Sequence, residues 1–301
     1  MYDLIVIGAG PAGISAGIYG ASRGLKVLIL EKNKVGGIIG NVSTVTHYAA
    51  IVEPESGDSF AKRMERQALG AGVEIRYENV TGVELAGEVK KVVTSRGSYE
   101  AKKLILANGS TPRKLGIPGE TELAGHGIGL NAARDGEKYR GKNIYVVGGA
   151  DGAVKEALYL ARFARELTII HFEDKLGCIA EFRRKVAETS NIRLRLNSRL
   201  QAVSGDGQVD VLEIRSERDG SVERVEDSGC GVFVYAGTLP NTELYGGLEL
   251  VDGYIPVNDK METAIPGVYA AGDIRVKQVR QVATAVSDGA VAAINAAAAL
   301  G

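Results

Sequence analysis

The opening of the chain alternates apolar and glycine-rich stretches in a regular order. A mostly apolar run, Tyr2–Ile7, has the composition of a buried strand, and a second run at residues 26–30, apolar after its first residue, ends in Glu31. Between them lie a glycine-rich turn and a stretch of small residues suited to a closely packed helix. This order predicts a strand, a turn, a helix and a second strand.

The same order returns in the middle of the chain. Residues 143–147 form an apolar run, residues 148–153 a second glycine-containing turn, residues 154–164 a helical stretch and residues 167–170 another apolar run. This self-similarity indicates that one architecture occurs twice in the chain.

Each of the two units also closes in the same way. Residues 104–112 and residues 232–240 are both apolar strands that run into a glycine and then a proline. We therefore expect domain boundaries near Leu115 and near Leu239.

The remaining segments complete the two units. The pattern predicts a helix at 59–71 and a small β-meander at 73–98, and residues 185–226 repeat that pattern in the second unit. Near the end, a strand at 267–271 precedes a long alanine-rich helix at 282–299, whose composition favours helix. The predicted class is α/β, with two doubly wound nucleotide-binding domains, Rossmann-like and of three layers (ββα).

The first glycine turn carries the chemistry of a dinucleotide site. Gly8 permits a tight turn, Gly10 lets the backbone approach a pyrophosphate, and Gly13 lets the helix pack on the strand. The helix N-terminus offers free N–H groups to phosphates, and Glu31 can accept hydrogen bonds from ribose hydroxyls. Strand, turn, helix and terminal acid in register indicate a dinucleotide-binding unit.

Composition narrows the remaining function classes. The chain has 301 residues, which fits about two domains, and a net charge of −1, which argues against a nucleic-acid surface. We expect no membrane span, because no apolar run is long enough, and no signal peptide, because a strand begins at once. Two distant cysteines, Cys178 and Cys230, suggest a reducing compartment. The expected location is cytoplasmic.

Taken together, the motifs resemble those of the low-molecular-weight thioredoxin reductases. The matching residues are 8–13, 36–37, 109–119, 148–153, 240–242, 270–273 and 280–282. The resemblance covers nearly the whole chain and implies FAD and a homodimer. It also implies an FAD-binding domain formed by residues 1–115 and 240–301. Residues 116–239 would then form an inserted domain that resembles an NAD(P)H-binding domain.

The resemblance implies a set of FAD contacts. It places Glu31 and Lys32 at the adenosine ribose, Asp273 at the ribityl chain, and Arg280 and Gln281 with the last helix N-terminus at flavin N1 and O2. Asp273 could instead be a simple helix N-cap. The full implied set is Gly8, Gly10, Pro11, Ala12, Gly13, Glu31, Lys32, Gly36, Gly37, His47, Val80, Ala107, Asn108, Gly109, Gly272, Asp273, Arg280, Gln281 and Val282.

The chain departs from the family at the redox dithiol. The family pattern is Cys-x-x-Cys followed by Asp-Gly, and here Asn131 and Arg134 stand at the cysteine positions while residues 135–136 keep Asp-Gly. A dithiol relay needs two sulfurs, one of them as thiolate, so neither replacement can serve. We expect Cys178 and Cys230 to be structural.

The second glycine turn also departs from the family. Ala150 stands where a glycine would admit the pyrophosphate, and Phe172, Glu173 and Gly177 occupy the arginine positions that bind the NADPH 2′-phosphate. Two interpretations stay open: the domain uses NADH, or it no longer binds a nicotinamide. We favour loss, so the inserted domain is expected to be degenerate for NADPH.

Two further features have a functional and an ordinary interpretation. His47 could donate toward the flavin or be a satisfied surface residue. The charged run at 181–185 could dock an acidic redox protein, although a solvated helix face is the default there and at 63–66.

The sequence therefore predicts an FAD-dependent oxidoreductase of thioredoxin-reductase type that lacks the dithiol, with no catalytic side chain assigned. We expect a ferredoxin- or flavodoxin-type donor, because single-electron carriers can reduce an exposed flavin without a hydride site; this step is an analogy. One alternative is an NADH-dependent flavin oxidoreductase acting on a small acceptor such as a quinone or dioxygen. Another is a non-catalytic FAD-binding redox sensor.

Overall fold

The computed structural model describes all residues, 1–301. The strands are β1 (Tyr2–Ile7), β2 (Val27–Glu31), β3 (Glu74–Tyr77), β4 (Val80–Glu84), β5 (Lys90–Thr94), β6 (Gly97–Leu106), β7 (Ser110–Pro112), β8 (Ile128–Gly129), β9 (Ile144–Val147), β10 (Leu167–Ile170), β11 (Ile192–Arg195), β12 (Ser198–Ser204), β13 (Val211–Ser216), β14 (Val222–Glu226), β15 (Gly231–Val234), β16 (Thr238–Pro240) and β17 (Val268–Ala270). The helices are α1 (Pro11–Ala21), α2 (Gly57–Gly70), α3 (Ala132–Asp135), α4 (Asp151–Leu160), α5 (Ala180–Glu188) and α6 (Val282–Ala298).

The chain divides into two compact units. Unit 1 comprises residues 1–111 and 239–301, and unit 2 comprises residues 112–238. The chain passes between the units through β7 and β16, which pair as a two-stranded sheet. Each unit has its own largely parallel sheet with helices on one face, so the predicted α/β class is confirmed.

The sheet of unit 1 depends on one long strand. Its order is β3-β2-β1-β6-β5-β4, and β17 also pairs with β6. The first part of β6 is antiparallel to β5, whereas its last three residues pair in parallel with β17. With ten residues, β6 is long enough for β5 and β17 to pair with different parts of the same edge of the strand.

Alternation along β1 separates two hydrophobic clusters in unit 1. Leu4 and Val6 pack with α1 and α6 residues, whereas Ile5 and Ile7 pack with residues from the 244–274 segment. Successive side chains of a strand point to opposite faces, so a strand that is apolar throughout must be covered on both sides.

Unit 2 has the same layers with one difference. Its sheet, β11-β10-β9-β15-β8, is covered by α4 and α5 on one face, where Val146 lies in the cluster. On the other face, where Val147 lies, the cover is a separate antiparallel sheet of β12, β13 and β14. The meander of unit 1 continues the main sheet instead.

The predicted meander at 73–98 was wrong at its start. Glu74–Tyr77 pairs in parallel with β2 at the edge of the main sheet, and only β4, β5 and β6 form the antiparallel meander. A short strand with some apolar positions can pair in a parallel sheet or in an antiparallel meander, because the local sequence pattern does not determine its partner strand.

Two predicted helices begin earlier than the pattern indicated. The first begins at Gly57, because the Ser56 side chain accepts a hydrogen bond from the N–H of Ser59 (3.1 Å) and caps the helix. The second runs from Asp151 to Leu160, directly after the turn. None of the helices is both long and apolar enough to cross a membrane.

Helices α1 and α6 pack closely through small residues. The Ser15 hydroxyl donates to the carbonyl of Val286 (2.7 Å), and a Cβ on Gly289 would overlap the carbonyl oxygen of Ala12. The approach therefore requires a glycine at position 289.

Gly289→Ala is expected to lower the free energy of unfolding by about 1–3 kcal/mol, because the added methyl has no space. Gly70→Ala is the matched control, since a Cβ at Gly70 meets nothing within 4 Å. That control should be neutral or more stable by up to about 1 kcal/mol. Urea unfolding of the FAD-saturated proteins, followed by circular dichroism, measures both. An unchanged midpoint for Gly289→Ala would contradict the packing described.

Candidate functional site

The turn after β1 holds three chain segments in close contact. Gly8 has a φ of +100°, and a Cβ placed on it would lie 2.5 Å from the carbonyl oxygen of Ala107 and 2.7 Å from the Cα of Asn108. A Cβ on Gly13 would overlap the carbonyl oxygen of Gly8. Both glycines therefore serve the chain's own packing.

Gly10 differs from its two neighbours in the motif. A Cβ placed on it meets no heavy atom within 4 Å, so the protein itself leaves this space open. Gly10 is the N-cap of α1 and Pro11 the first helical residue. The open space therefore faces the free N–H groups of a helix N-terminus, where a pyrophosphate fits.

A glycine pair after β2 runs beside this turn. Gly36 donates its N–H to the carbonyl of Ala9 (2.8 Å), and a Cβ on Gly37 would lie 3.5 Å from the Cα of Gly10. Both have positive φ, +118° and +58°. The structure thus brings the predicted Gly36 and Gly37 to the edge of the open space.

The predicted ribose acid is held by backbone donors. The Glu31 carboxylate accepts the N–H of Ala9 and the N–H of Asn33, each at 2.9 Å. These bonds fix the carboxylate at the end of β2 next to the turn. Lys32 follows it and is exposed. Their contacts with a ribose stay predictions.

The segment after β17 reaches the same turn from the other side. A Cβ on Gly272 would come within 2.9 Å of the Cβ of Ala12, so strand end and helix touch there. Gly109, which has a φ of +60°, follows β6.

Asp273 and Arg280 carry buried polar atoms without a partner. Asp273 Oδ1 and Arg280 Nε are both inaccessible and bonded to nothing in the protein. Burial raises the pKa of Asp273, and Lys277 and Arg280 offset only part of that rise. The Arg280 guanidinium lies 4.2 Å from the centroid of the Tyr254 ring. A ligand with hydroxyl and carbonyl groups can satisfy both atoms, so these residues fit FAD.

The alternative role of Asp273 as a helix N-cap does not hold. The next helix, α6, begins at Val282 with Gln281 as its N-cap. The Gln281 N–H donates to the Thr284 hydroxyl (3.3 Å), and Val282 packs against the core cluster of α1.

A buried ion network that the motifs did not indicate supports this segment. Asp288 accepts bonds from Arg275 (2.8 and 2.6 Å), from Lys277 (2.7 Å) and from the N–H of Gly272 (3.0 Å). Burial alone would raise the pKa of Asp288, but the bonds from Arg275 and Lys277 hold it below its usual range. The helical spacing gave a signal, because Asp288 shares a face with buried alanines such as Ala285.

A second unpredicted network fixes Asn108. Its side chain accepts from the Tyr245 hydroxyl (2.7 Å) and donates to the Asn241 carbonyl (2.9 Å), while Asn241 donates back to the Asn108 carbonyl (2.7 Å). Tyr245 is almost fully buried, which raises its pKa. Asn108 thus joins the first glycine turn to a segment that follows β16.

Two predicted FAD contacts, His47 and Val80, have other neighbours. His47 is exposed, with its Nδ1 3.1 Å from the Thr46 hydroxyl. Val80 is half-buried at the start of β4, against the cluster on the other face of the sheet. Their roles toward FAD stay predictions.

The glycine turn of unit 2 repeats the first turn with one side chain added. Gly148 has a φ of +131°, and its Cβ would lie 2.5 Å from the carbonyl oxygen of Tyr235. Ala150 (φ −83°, ψ 174°) has nearly the same backbone conformation as Gly10 (φ −72°, ψ −178°). Its methyl group therefore points into the space that corresponds to the open space at Gly10.

The residues after β10 close around this second turn. The His171 ring is buried against Gly149, whose Cβ would lie 2.6 Å from it, and His171 Nε2 is 3.0 Å from the Glu173 carboxylate. Arg199 lies 4.3 Å from the centroid of the Phe172 ring and is paired with Glu217 (3.0 Å).

The segment at the expected dithiol position is a salt-bridged helical turn. Asn131 caps α3 by accepting the N–H of Arg134 (2.9 Å). The Arg134 guanidinium forms two bonds with buried Asp135 (3.0 and 2.9 Å), and Lys138 adds a third (2.8 Å). The hydrogen bond from Arg134 is the main cause that holds the pKa of Asp135 well below its usual range.

Both cysteines are free and buried in unit 2, in different hydrophobic clusters. Burial raises the pKa of Cys178 and raises that of Cys230 to about 12. Thiols of this kind are poor nucleophiles because the thiolate is rare at neutral pH.

Comparison with known proteins relates this geometry to one family. The family model described as pyridine nucleotide-disulphide oxidoreductase matches residues 2–289. The chain is 39% identical over 302 residues to a thioredoxin reductase of Peptoclostridium acidaminophilum, covering 98% of this chain and 96% of the relative.

Solved structures give the same relation. The thioredoxin reductase of Lactococcus lactis in its FR conformation matches with a TM-score of 0.94 and 37% identity, over 98% of both chains. A ferredoxin-flavin thioredoxin reductase from Clostridium acetobutylicum matches with a TM-score of 0.54 and 29% identity, over 99% of this chain and 98% of that chain.

Gly10→Val is expected to abolish retention of FAD while the fold stays intact, because the new side chain fills space that only a ligand uses. The ratio of flavin to protein absorbance in the purified protein measures retention, and circular dichroism checks the fold. Gly70→Val, which also adds a side chain in open space, is the control and should keep its FAD. If the Gly10→Val protein is purified with one FAD per chain, this site assignment is excluded.

Proposed function

The chain belongs to the thioredoxin reductases of the pyridine nucleotide-disulphide oxidoreductase family, which use FAD, and we propose that in this member electrons pass without a protein dithiol. The single observation that supports this most is the turn at 131–135. Asn131 caps a helix and the exposed Arg134 pairs with buried Asp135, so this turn has no group that can form or break a disulfide.

FAD supplies the redox chemistry, and the chain's residues hold it. Gly10 and the N-terminus of α1 would receive the pyrophosphate, and Glu31 the ribose. Asp273 Oδ1 would accept a hydrogen bond from the ribityl chain, and Arg280 Nε would donate one to the flavin ring. Arg275 and Lys277 hold Asp288, and through it the N–H of Gly272, in place.

The two cysteines do not replace the missing pair in this proposal. Cys178 packs in the cluster beneath α4 and α5, and Cys230 packs in the cluster beneath the antiparallel sheet. Both thiols have raised pKa values. Two free buried cysteines also suit the reducing compartment that we propose for this protein, the cytoplasm.

We further propose that unit 2 does not use NADPH. The Ala150 methyl obstructs the pyrophosphate position, and Glu173 would repel a 2′-phosphate where the family has arginine. Arg199 is already engaged with Phe172 and Glu217.

A one-electron protein donor of ferredoxin or flavodoxin type fits these losses, because such carriers need no hydride site. The similarity to a structure named as a ferredoxin-flavin thioredoxin reductase supports this donor class. We also propose the homodimer that the resemblance implies.

The second candidate is an NADH-dependent flavin oxidoreductase. One observation favours it: the turn of unit 2 keeps its backbone geometry, with Gly148 donating to the Ile170 carbonyl (3.0 Å) as Gly8 donates to that of Leu30 (2.8 Å). Glu173 would suit a free 2′-hydroxyl. The third candidate, a non-catalytic FAD-binding sensor, predicts no turnover with any donor.

NADPH is expected to reduce the flavin poorly. A 2′-phosphate without a cation loses about 1.5–3 kcal/mol of charge-assisted bonding, roughly tenfold to a hundredfold in affinity. Anaerobic stopped-flow absorbance with NADPH, NADH and reduced ferredoxin measures the bleaching of the flavin.

NADH is the matched control, because it differs from NADPH only in the 2′-phosphate. Bleaching by reduced ferredoxin and by neither nucleotide supports the proposal. Bleaching by NADH alone supports the second candidate instead, and rapid saturable bleaching by micromolar NADPH excludes the proposal.

A further inference from the structure

The buried ion network of unit 1 contains more cations than its central carboxylate requires. Asp288 accepts two bonds from Arg275 (2.8 and 2.6 Å), one from Lys277 (2.7 Å) and one from the N–H of Gly272 (3.0 Å). The side chains of Asp288 and Lys277 are each only 5% exposed. One carboxylate therefore meets two cations in a place that is largely closed to water.

Arg275 alone can neutralise this carboxylate. Its Nε and Nη2 atoms reach both oxygens of Asp288, which is the two-point geometry of a strong arginine–carboxylate pair. Removing the Lys277 ammonium from water as well is unfavourable, and a bond to an acceptor that it shares with Arg275 offsets this only in part. The second cation therefore indicates a further negative charge nearby.

A second carboxylate lies near Lys277 but does not balance the cations. Burial raises the pKa of Asp273, and the positive charges of Lys277 and Arg280 offset part of that rise. The charged residues between positions 272 and 288 are Asp273, Arg275, Lys277, Arg280 and Asp288. This segment therefore has one more cation than carboxylates.

The network contacts the first turn of α1. A Cβ on Gly272, whose N–H is held by Asp288, would lie 2.9 Å from the Cβ of Ala12. A Cβ on Gly289, the next residue after Asp288, would overlap the carbonyl oxygen of Ala12. Ala12 is the second residue of α1 and comes two positions after Gly10, the N-cap with the open space. The excess cation is thus close to the turn where a pyrophosphate fits.

We propose that Lys277 is a positioning residue for FAD, because its charge compensates the buried carboxylates of Asp288 and Asp273 and lets a pyrophosphate bind beside them. Without Lys277 the remaining cations and carboxylates of the segment would only cancel each other. Charges act strongly on one another here because little water separates them. The inference rests on the FAD site at Gly10, which Gly10→Val tests separately, and not on the electron donor or the missing dithiol.

The test is the dissociation constant of FAD, measured by diluting the FAD-loaded protein and recording the fluorescence of the released flavin. Lys277→Met should raise this constant at least about tenfold, because it removes the excess positive charge. Adding Asp288→Asn removes one carboxylate and restores the excess, while the asparagine oxygen can still accept the N–H of Gly272. The double variant should therefore bind FAD within about threefold of the parent protein.

A purely structural role of Lys277 predicts the opposite order. If the ion pair only braced the segment, the double variant would bind FAD no better than Lys277→Met, and that result overturns the proposal. An unchanged dissociation constant for Lys277→Met also overturns it. Should Lys277→Met fail to fold, the same substitution is compared in the Asp288→Asn background. There it should weaken FAD binding at least about threefold, and no weakening overturns the proposal.

Lys102→Met is the matched control. Lys102 also pairs with an aspartate, Asp3 (2.9 Å), but near the amino end of β1, at the opposite end of that strand from the glycine turn. This pair is partly exposed, so its loss should change the dissociation constant less than about twofold. Circular dichroism checks that all variants fold. Equal weakening by Lys102→Met and Lys277→Met overturns the proposal, since it would show a general effect of losing a cation.

Discussion

The close approach of a strand end, a helix start and a closing strand organises each unit of this protein. In unit 1, Gly8 lies against the carbonyl oxygen of Ala107, and Gly13 lies against that of Gly8. A side chain at either position would collide with backbone and push these three segments apart. The same contact recurs in unit 2, where Gly148 lies against the carbonyl oxygen of Tyr235. Both sheets thus depend on backbone contacts that only glycine permits.

The two units differ at one position of this shared turn geometry. Gly10 leaves an open space at the N-terminus of α1, whereas Ala150 adds a methyl group at the same backbone conformation in unit 2. In our proposal the losses fall on unit 2: this methyl group, Glu173 where the resemblance places an arginine, and the Arg134–Asp135 ion pair where it places a dithiol. Unit 1 keeps unpaired atoms for a ligand. This contrast supports the proposal that the FAD receives its electrons directly.

The sequence predicted much of this, and its failures have physical causes. The glycine motif identified the first turn and the apolar pattern identified the α/β class, because local spacing carries both. The prediction that the meander begins at residue 73 was wrong. β3 pairs with β2 instead, and the sequence of a short strand does not determine its partner. The Tyr245–Asn108 bond joins residues 137 positions apart, which no local pattern reveals. Asp288 could have been found, because its helical spacing places a carboxylate on a buried face near two cations.

The most direct test of the central claim is an anaerobic reductive titration with dithionite, counting reducing equivalents per bound FAD. An enzyme with a flavin and a redox disulfide takes up two electron pairs, whereas a flavin alone takes up one. We predict one electron pair per FAD, with the same count for the Cys178→Ser/Cys230→Ser double variant. Uptake of a second pair by the parent protein, lost in the double variant, would contradict it.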